Sequence, residues 1–368
     1  MQTPQSLDEL AAALASAHAA GHSVAVCGAG TKRISGGPPA PADVIVSTRA
    51  MTRVLEYEPA DLTISVEAGL PWGELQALLA KNRQMVPLDP PYFDGATVGG
   101  VLSANSSGPR RRLYGSARDM VIGMKFSTVD GTVIQTGGMV VKNVAGLDIA
   151  KLMIGSFGTL GVMGTANFKL TPMPPRSATF VERHASLDET MKRRDQILTS
   201  VLQPAALDVI RQPQGPWLLA LQVGATEKVM ERYRRELAGA EMLEADAEAA
   251  FWRPIREFVP EWMASHPAGG VVRVSVELSG VGPALASLPG PALARAGNGI
   301  VYGAFETAEG TAKYAASAVF ACAVEAAPPN SVIERWPKPG SDFAVMREVK
   351  RMLDPNNRLN PGRLHGRL

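Results

Sequence analysis

The chain has 368 residues, 46% of them hydrophobic and 20% charged, which allows two or three domains with buried cores and excludes disorder as the main state. Its 37 basic and 35 acidic residues give a net charge of +2, too balanced for a nucleic-acid-binding footprint. Two distant cysteines, Cys27 and Cys322, exclude a disulfide framework, so a reducing, cytoplasmic setting fits.

Met1 to Ala20 has no basic start and carries Asp8 and Glu9, so it does not read as a signal peptide. Instead the spacing of Leu7, Leu10, Ala11 and Leu14 predicts an amphipathic helix, with Ser6 as N-cap and Glu9 completing a capping box. Val24 to Cys27 is a short buried strand that runs into Gly28-Ala29-Gly30-Thr31, and a second strand follows at Val44 to Ser47. Leu62, Ile64, Val66 and Ala68 alternate with polar residues, which predicts a half-buried strand ended by Gly69. Pro71 then opens a helix with Leu75, Leu78 and Leu79 on one face.

From about 85 to 172 the chain reads as loops and strands: Met124 to Val129, a turn at Asp130-Gly131, Val133 to Gln135, and Gly161 to Leu170. Pro172, Pro174 and Pro175 mark a boundary. Beyond them come a strand at Thr179 to His184 and a helix opened by Ser186 with Glu189 three residues on. Strands near 206–211 and 217–223 follow, then helices near 226–238 and 246–264, a strand from Val271 to Leu278 and another at 299–304. A helix carrying Cys322 ends near Ala327, Pro328 and Pro329 close this part, and a strand and a helix precede Asp354-Pro355. The most apolar stretch, Ala315 to Val324, is too short to span a bilayer. The texture is α+β, with an antiparallel sheet covered by helices in the second half.

Glycine is concentrated. Fourteen of the 36 glycines fall between Gly95 and Gly164, where small residues let backbone approach a ligand closely. The loop Cys27 to Lys32 follows a strand, as phosphate-binding loops do, but Arg33 stands at the third glycine position of a dinucleotide fingerprint and no helical pattern follows. By itself this loop is equally a plain turn. More specific is Gly95-Ala96-Thr97-Val98-Gly99-Gly100, followed by Asn105-Ser106-Ser107-Gly108, Pro109-Arg110-Arg111-Arg112 and Tyr114-Gly115-Ser116. Two glycine-rich turns with small hydroxyl and amide residues offer many donors and little bulk, which suits a large flat or phosphorylated ligand.

The run A-T-V-G-G…N-S-S-G-P-R-R-R-L-Y-G-S-A-R-D and the run from Gly137 to Val162, with its K-N-V-A-G-L-D core, resemble the flavin-binding domain of the vanillyl-alcohol oxidase/p-cresol methylhydroxylase superfamily. Within it they are most similar to the FAD-binding subunits of bacterial glycolate oxidases, and Asp354 to Gly362 is like the family's C-terminal return. The resemblance implies a two-subdomain FAD-binding domain over 1–175, a reduced α/β cap over 176–328 and a return of 329–368 to the FAD domain. It implies FAD contacts at Gly28, Ala29, Gly30, Thr31 and Lys32 in the first loop, at Thr97, Val98, Gly99 and Gly100, and at Asn105, Gly108, Tyr114 and Gly115. Gly158, Gly161 and Val162 would meet the flavin from the other side, and Asn360 would return towards its ring system. Some relatives tether FAD through a histidine in the first loop. Thr31 and Lys32 stand here instead, so non-covalent FAD is expected.

The sequence also departs from the family. Its 2-hydroxy-acid dehydrogenases resemble one another in a cap motif, H-x-G-D-G-N-x-H, that is missing here; His18, His22, His184, His266 and His365 stand apart, so no metal site and no catalytic base are assigned. Oxidising a hydroxy acid needs a base for the hydroxyl proton and a cation for the carboxylate. Arg112, Arg118 or Arg335 would suit the second role; nothing obvious serves the first, and a self-sufficient enzyme would need a base such as Tyr302, Glu334 or a lysine near the flavin. The resemblance therefore implies a flavoprotein subunit of a glycolate oxidase, beside a larger FAD-binding subunit and an iron–sulfur subunit that would carry electrons onward. Membrane contact would come only through such partners. A self-sufficient 2-hydroxy-acid dehydrogenase and a non-catalytic assembly subunit with structural FAD are the alternatives.

Overall fold

A computed structural model describes residues 1–33, 35–36, 40–139, 148–212 and 215–368. The K-N-V-A-G run and Gly37, Pro38 and Pro39 lie outside the described residues. The rest falls into two compact units. The first contains Met1–Ser107, Ser116–Pro172 and Lys338–Leu368; the second contains Gly108–Gly115 and Met173–Pro337. Residues 108–115, read from sequence as part of the first domain, thus group with the second unit, and so do residues 329–337.

In the first unit the helix Leu7–Ala19 buries Leu10, Leu14 and Ala17. They pack on Val24, Val46 and Leu359, so burial of one helical stripe fixes a two-stranded parallel sheet, β1 (Val24–Cys27) beside β2 (Val44–Ser47). Ser6 accepts the Glu9 N–H at 3.2 Å, as expected for the N-cap. The return arm of the capping box differs: the Glu9 carboxylate accepts from Gln5 N, one residue before the cap. Glu189 does the same, accepting from Ala185 N rather than Ser186 N.

Five antiparallel strands form the second layer of this unit. They are β3 (Val54–Glu58), β4 (Thr63–Glu67), β6 (Val121–Ser127), β7 (Val133–Gly137) and β8 (Val162–Lys169), in the order β3-β4-β8-β6-β7. A two-residue pair, β5 (Gln84–Met85) with β9 (Thr171–Pro172), lies outside that sheet. The β6–β7 connection turns at Gly131, whose φ of +86° an L residue rarely adopts. β4 departs from expectation: all five of its residues are buried, because it is an inner strand paired with β3 on one side and β8 on the other.

The second unit is one antiparallel sheet of eight strands, ordered β13-β10-β12-β11-β15-β16-β14-β17. Its strands are β10 (Arg176–His184), β11 (Ala206–Arg211), β12 (Trp217–Ala225), β13 (Glu241–Leu243), β14 (Gly270–Ser275), β15 (Ala292–Arg295), β16 (Ile300–Phe305) and β17 (Ala321–Ala326). One face carries the larger core, including Phe180, Leu221, Met230, Val272, Leu285 and Val301. The single helix read near 246–264 is two, Ala245–Arg256 and Phe258–Ser265. Pro260 has no N–H to donate back across the junction, so the helix restarts with that proline in its first turn.

The helix read as ending near Ala327 stops at Ser317, and Cys322 lies on β17 instead. The strand expected after Pro329 is not formed among the described residues. That segment leads to the helix Phe343–Leu353. No helix of the described residues is long and apolar enough to cross a membrane.

Candidate functional site

A pocket in the first unit lies where four segments converge: the loop after β1, the helix Val98–Ser103, the turn 155–161 and the C-terminal stretch around Asn360. Each is pinned by hydrogen bonds that the sequence makes locally available. Val24 N donates to Arg358 O at 2.8 Å and Asn360 N to Val24 O at 2.9 Å, so Leu359 joins the free edge of β1 as an added strand residue. Gly155 N donates to Leu102 O and Phe157 N to Ser103 O, which ties the turn to the end of the helix.

The first loop fits against that helix only because it lacks side chains. A Cβ on Gly28 would lie 2.1 Å from Thr97 Oγ1, and Thr97 is committed as the helix N-cap, accepting from Gly100 N at 3.2 Å. A Cβ on Gly99 would come within 3.0 Å of Ala68 Cβ. Gly30 has φ +75°, and the turn it opens closes with Arg33 N donating to Gly30 O at 3.2 Å. The N–H groups of Ala29, Gly30 and Thr31 donate to no protein acceptor among the described residues. Successive free N–H groups around a left-handed glycine form a concave anion site.

The C-terminal wall is built on Asn360. Its Oδ1 accepts from Val26 N at 2.7 Å and its Nδ2 donates to Phe157 O at 2.8 Å. Arg363 reaches back to the first loop, donating to Lys32 O at 2.6 Å and Arg33 O at 3.3 Å, with its guanidinium over the Phe157 ring. Lys32 Nζ lies 5.6 Å from the centroid of the Tyr92 ring. The pocket wall includes the cations Lys32, Arg33 and Arg363 and contains no carboxylate among the described residues.

Of the residues expected here, Gly28, Ala29, Gly30, Thr31, Lys32, Thr97, Gly99, Gly100, Gly158, Gly161, Val162 and Asn360 line this pocket. Val98 does not: it is fully buried beneath the helix, its N–H donating to Leu70 O. Asn105 stands off the pocket wall with φ +46° and a buried Oδ1 that meets no donor among the described residues. Gly108, Tyr114 and Gly115 belong to the stretch that groups with the second unit and do not line the pocket, and burial there raises the Tyr114 pKa. Among the described lining residues nine were missed from sequence, Cys27, Arg33, Phe157 and Arg363 among them. Arg363 stands directly after the Asn360-Pro361-Gly362 turn, and its sequence neighbourhood carries no further signal.

The residues considered for hydroxy-acid chemistry are each engaged by neighbours of their own. Arg112 donates to Pro204 O at 2.6 Å. Arg335 is buried, donating to Pro328 O at 3.0 Å and also to Ala327 O. Arg118 is exposed and donates to Lys151 O. Tyr302, on β16, sits under the Arg295 guanidinium, and burial raises its pKa. Glu334 is exposed and accepts from Trp336 N.

A profile of the FAD binding domain matches residues 2–137, and a profile of the C-terminal domain of FAD-linked oxidases matches residues 337–364. The first match contains the loop after β1 and the Thr97–Gly100 turn; the second contains Asn360 and Arg363. The chain is similar to glycolate oxidase subunit GlcE of Escherichia coli, 33% identical over 58% of this chain and 58% of that protein. It is 32% identical to glycolate oxidase subunit GlcD of Bacillus subtilis over 50% of this chain and 40% of that one. D-2-hydroxyglutarate dehydrogenase of Xanthomonas citri pv. viticola is 30% identical over 51% of this chain and 40% of its own length. The matches thus span about half the length of these relatives. Two solved structures of alkyldihydroxyacetonephosphate synthase share the fold, with TM-scores of 0.71 and 0.75 at 18% and 16% identity, each covering 98% of this chain and 75% of theirs. The pocket itself fits FAD: its wall is cationic, its loop presents free N–H groups, and glycines let that loop pack closely on the helix.

Proposed function

We propose that this chain, a member of the FAD-linked oxidases with the FAD-binding domain of the p-cresol methylhydroxylase type, is the flavoprotein subunit of a complex that oxidises glycolate to glyoxylate. FAD, held non-covalently, supplies the two-electron acceptor. Residues of the first unit would hold its diphosphate through the Ala29–Thr31 N–H groups and the charges of Lys32 and Arg363. A larger FAD-binding subunit would bring the base and the carboxylate-binding cation, and an iron–sulfur subunit would carry electrons onward. The chain has two cysteines, too few to ligate such a cluster.

One observation supports the division of labour most directly. The candidate cations Arg112 and Arg335 are committed to main-chain carbonyls, and burial moves the Tyr302 phenol further from the deprotonated form a base needs. The similarity to the GlcE and GlcD subunits supports the substrate class. The test is to purify the chain alone and together with its larger flavin-binding neighbour, then assay glycolate with an artificial electron acceptor. The chain alone is expected to bind FAD without turning glycolate over, and the pair to turn it over. Turnover of glycolate by the isolated chain would replace this proposal with a self-sufficient dehydrogenase.

A further inference from the structure

We infer that Arg363 is a positioning residue for the diphosphate-binding loop, setting the loop's shape from the far end of the chain. The inference rests on FAD binding at this pocket and not on the glycolate assignment. Arg363 is 8% exposed, so its donors are committed to protein and its charge is little screened by water. It donates to two successive carbonyls, Lys32 O and Arg33 O.

In a trans peptide the carbonyl and the following N–H point in opposite directions. Holding Lys32 O therefore fixes the orientation of Arg33 N–H, and that group closes the turn by donating to Gly30 O. The closed turn leaves the Ala29, Gly30 and Thr31 N–H groups without protein acceptors among the described residues. If Lys32 O were released, its peptide plane could rotate and present the carbonyl to the pocket, where it would repel a diphosphate. The guanidinium also keeps two carbonyl dipoles occupied at the wall of an anion site, and it remains charged at any pH the protein meets.

Its own placement is over-determined. The ring of Phe157 lies 5.6 Å below the guanidinium, and Asn360, three residues back, donates to Phe157 O. Arg363 N donates to Asn360 O, closing the turn that aims the side chain.

The test uses the full chain in three variants, Arg363→Met, Arg363→Gln and Arg363→Lys, with FAD affinity read from quenching of flavin fluorescence at two salt concentrations. Thermal unfolding of the flavin-free protein serves as the fold control. Arg363→Met is expected to weaken FAD binding at least tenfold, and Arg363→Gln to show a shallower salt dependence of the Kd than the wild type. Arg363→Lys, which keeps the charge and a single donor group, should restore the salt dependence with part of the affinity. A Met variant too unstable to assay leaves the decision to Gln and Lys, which retain donors for the carbonyls. The proposal is overturned if all folded variants bind FAD within twofold of the wild type, or if Gln and Lys weaken binding equally with unchanged salt dependence. Wild-type protein that binds no FAD would instead remove the cofactor assignment itself.

Discussion

Gly158 and Asn360 are separated by 202 positions in sequence, yet a Cβ on the glycine would lie 2.7 Å from the asparagine Nδ2. The glycine has φ +71° and the asparagine φ +42°, so two left-handed residues interlock at the pocket wall. Gly158→Ala must bear the left-handed penalty, roughly 1–2 kcal/mol, and must also displace the carboxamide that holds Phe157 O and Val26 N. The expected outcome is at least a tenfold loss of FAD affinity, read by fluorescence titration. Asn360→Ala should show a comparable loss with a lower unfolding temperature, because Val26 N is left without its acceptor.

The contact between Gly28 and Thr97 predicts a coupled pair. Gly28→Ala places its Cβ 2.1 Å from Thr97 Oγ1 but 3.2 Å from Thr97 Cβ. Thr97→Ala removes the clashing oxygen and leaves the more distant carbon, at the cost of the N-cap, about 1 kcal/mol. The double variant should therefore be more stable than the sum of the two single losses, by about 0.5–3 kcal/mol. Urea unfolding of the four proteins measures that difference. Additive losses would mean that the loop moves away from the helix instead of meeting it.

The same two sites show what sequence could and could not give. Gly28 and Gly99 stood out in glycine-rich loops because absence of bulk is written in the residue type, whereas the roles of Gly28 and Gly158 came from the family resemblance. Arg363 and the burial of β4 were not legible, because both depend on what lies opposite in space. On β17 the pattern was ambiguous in itself. Cys322, Val324 and Ala326 are buried at a period of two, but alanines at 321 and 323 fill the exposed positions, so the stretch reads as continuously apolar. Short apolar runs of that kind do not separate helix from strand by periodicity.

The two thiols should differ in chemistry. Cys27 lines the pocket beside Gly28, whereas Cys322 is buried on β17 with its pKa pushed up by burial to about 11. Only a thiolate alkylates readily. At pH 8 iodoacetamide should label Cys27, and saturating FAD should slow that labelling; Cys322 should stay unmodified until the protein unfolds. Peptide mass mapping after timed labelling gives both rates. Labelling of Cys27 that FAD leaves unchanged would place the cofactor away from the loop.

Behind the pocket wall, Lys350 holds the same two segments that Asn360 joins at its front. It is buried, with Nζ donating to Thr159 O at 2.7 Å, Leu359 O at 3.0 Å and Asp354 Oδ2 at 2.5 Å. Asp354 in turn accepts from Arg358 N and Leu359 N. Lys350→Met leaves that carboxylate buried without its cation, which typically costs about 3–5 kcal/mol. The pH dependence follows from the lysine itself. Burial lowers its pKa in the folded chain, an effect the Asp354 hydrogen bond partly offsets. Below the lowered pKa both states carry the proton and the group contributes no pH dependence. Between that value and the unfolded one the unfolded chain binds more protons, so stability from this group rises with pH. Cys322 acts oppositely: its raised pKa makes stability fall as pH climbs from 9 towards 11. Subtracting the unfolding free energies of Lys350→Met from those of the wild type at each pH cancels the thiol. That difference should grow as pH rises towards the ordinary lysine pKa, and a flat difference would mean that Lys350 keeps that ordinary value despite its burial.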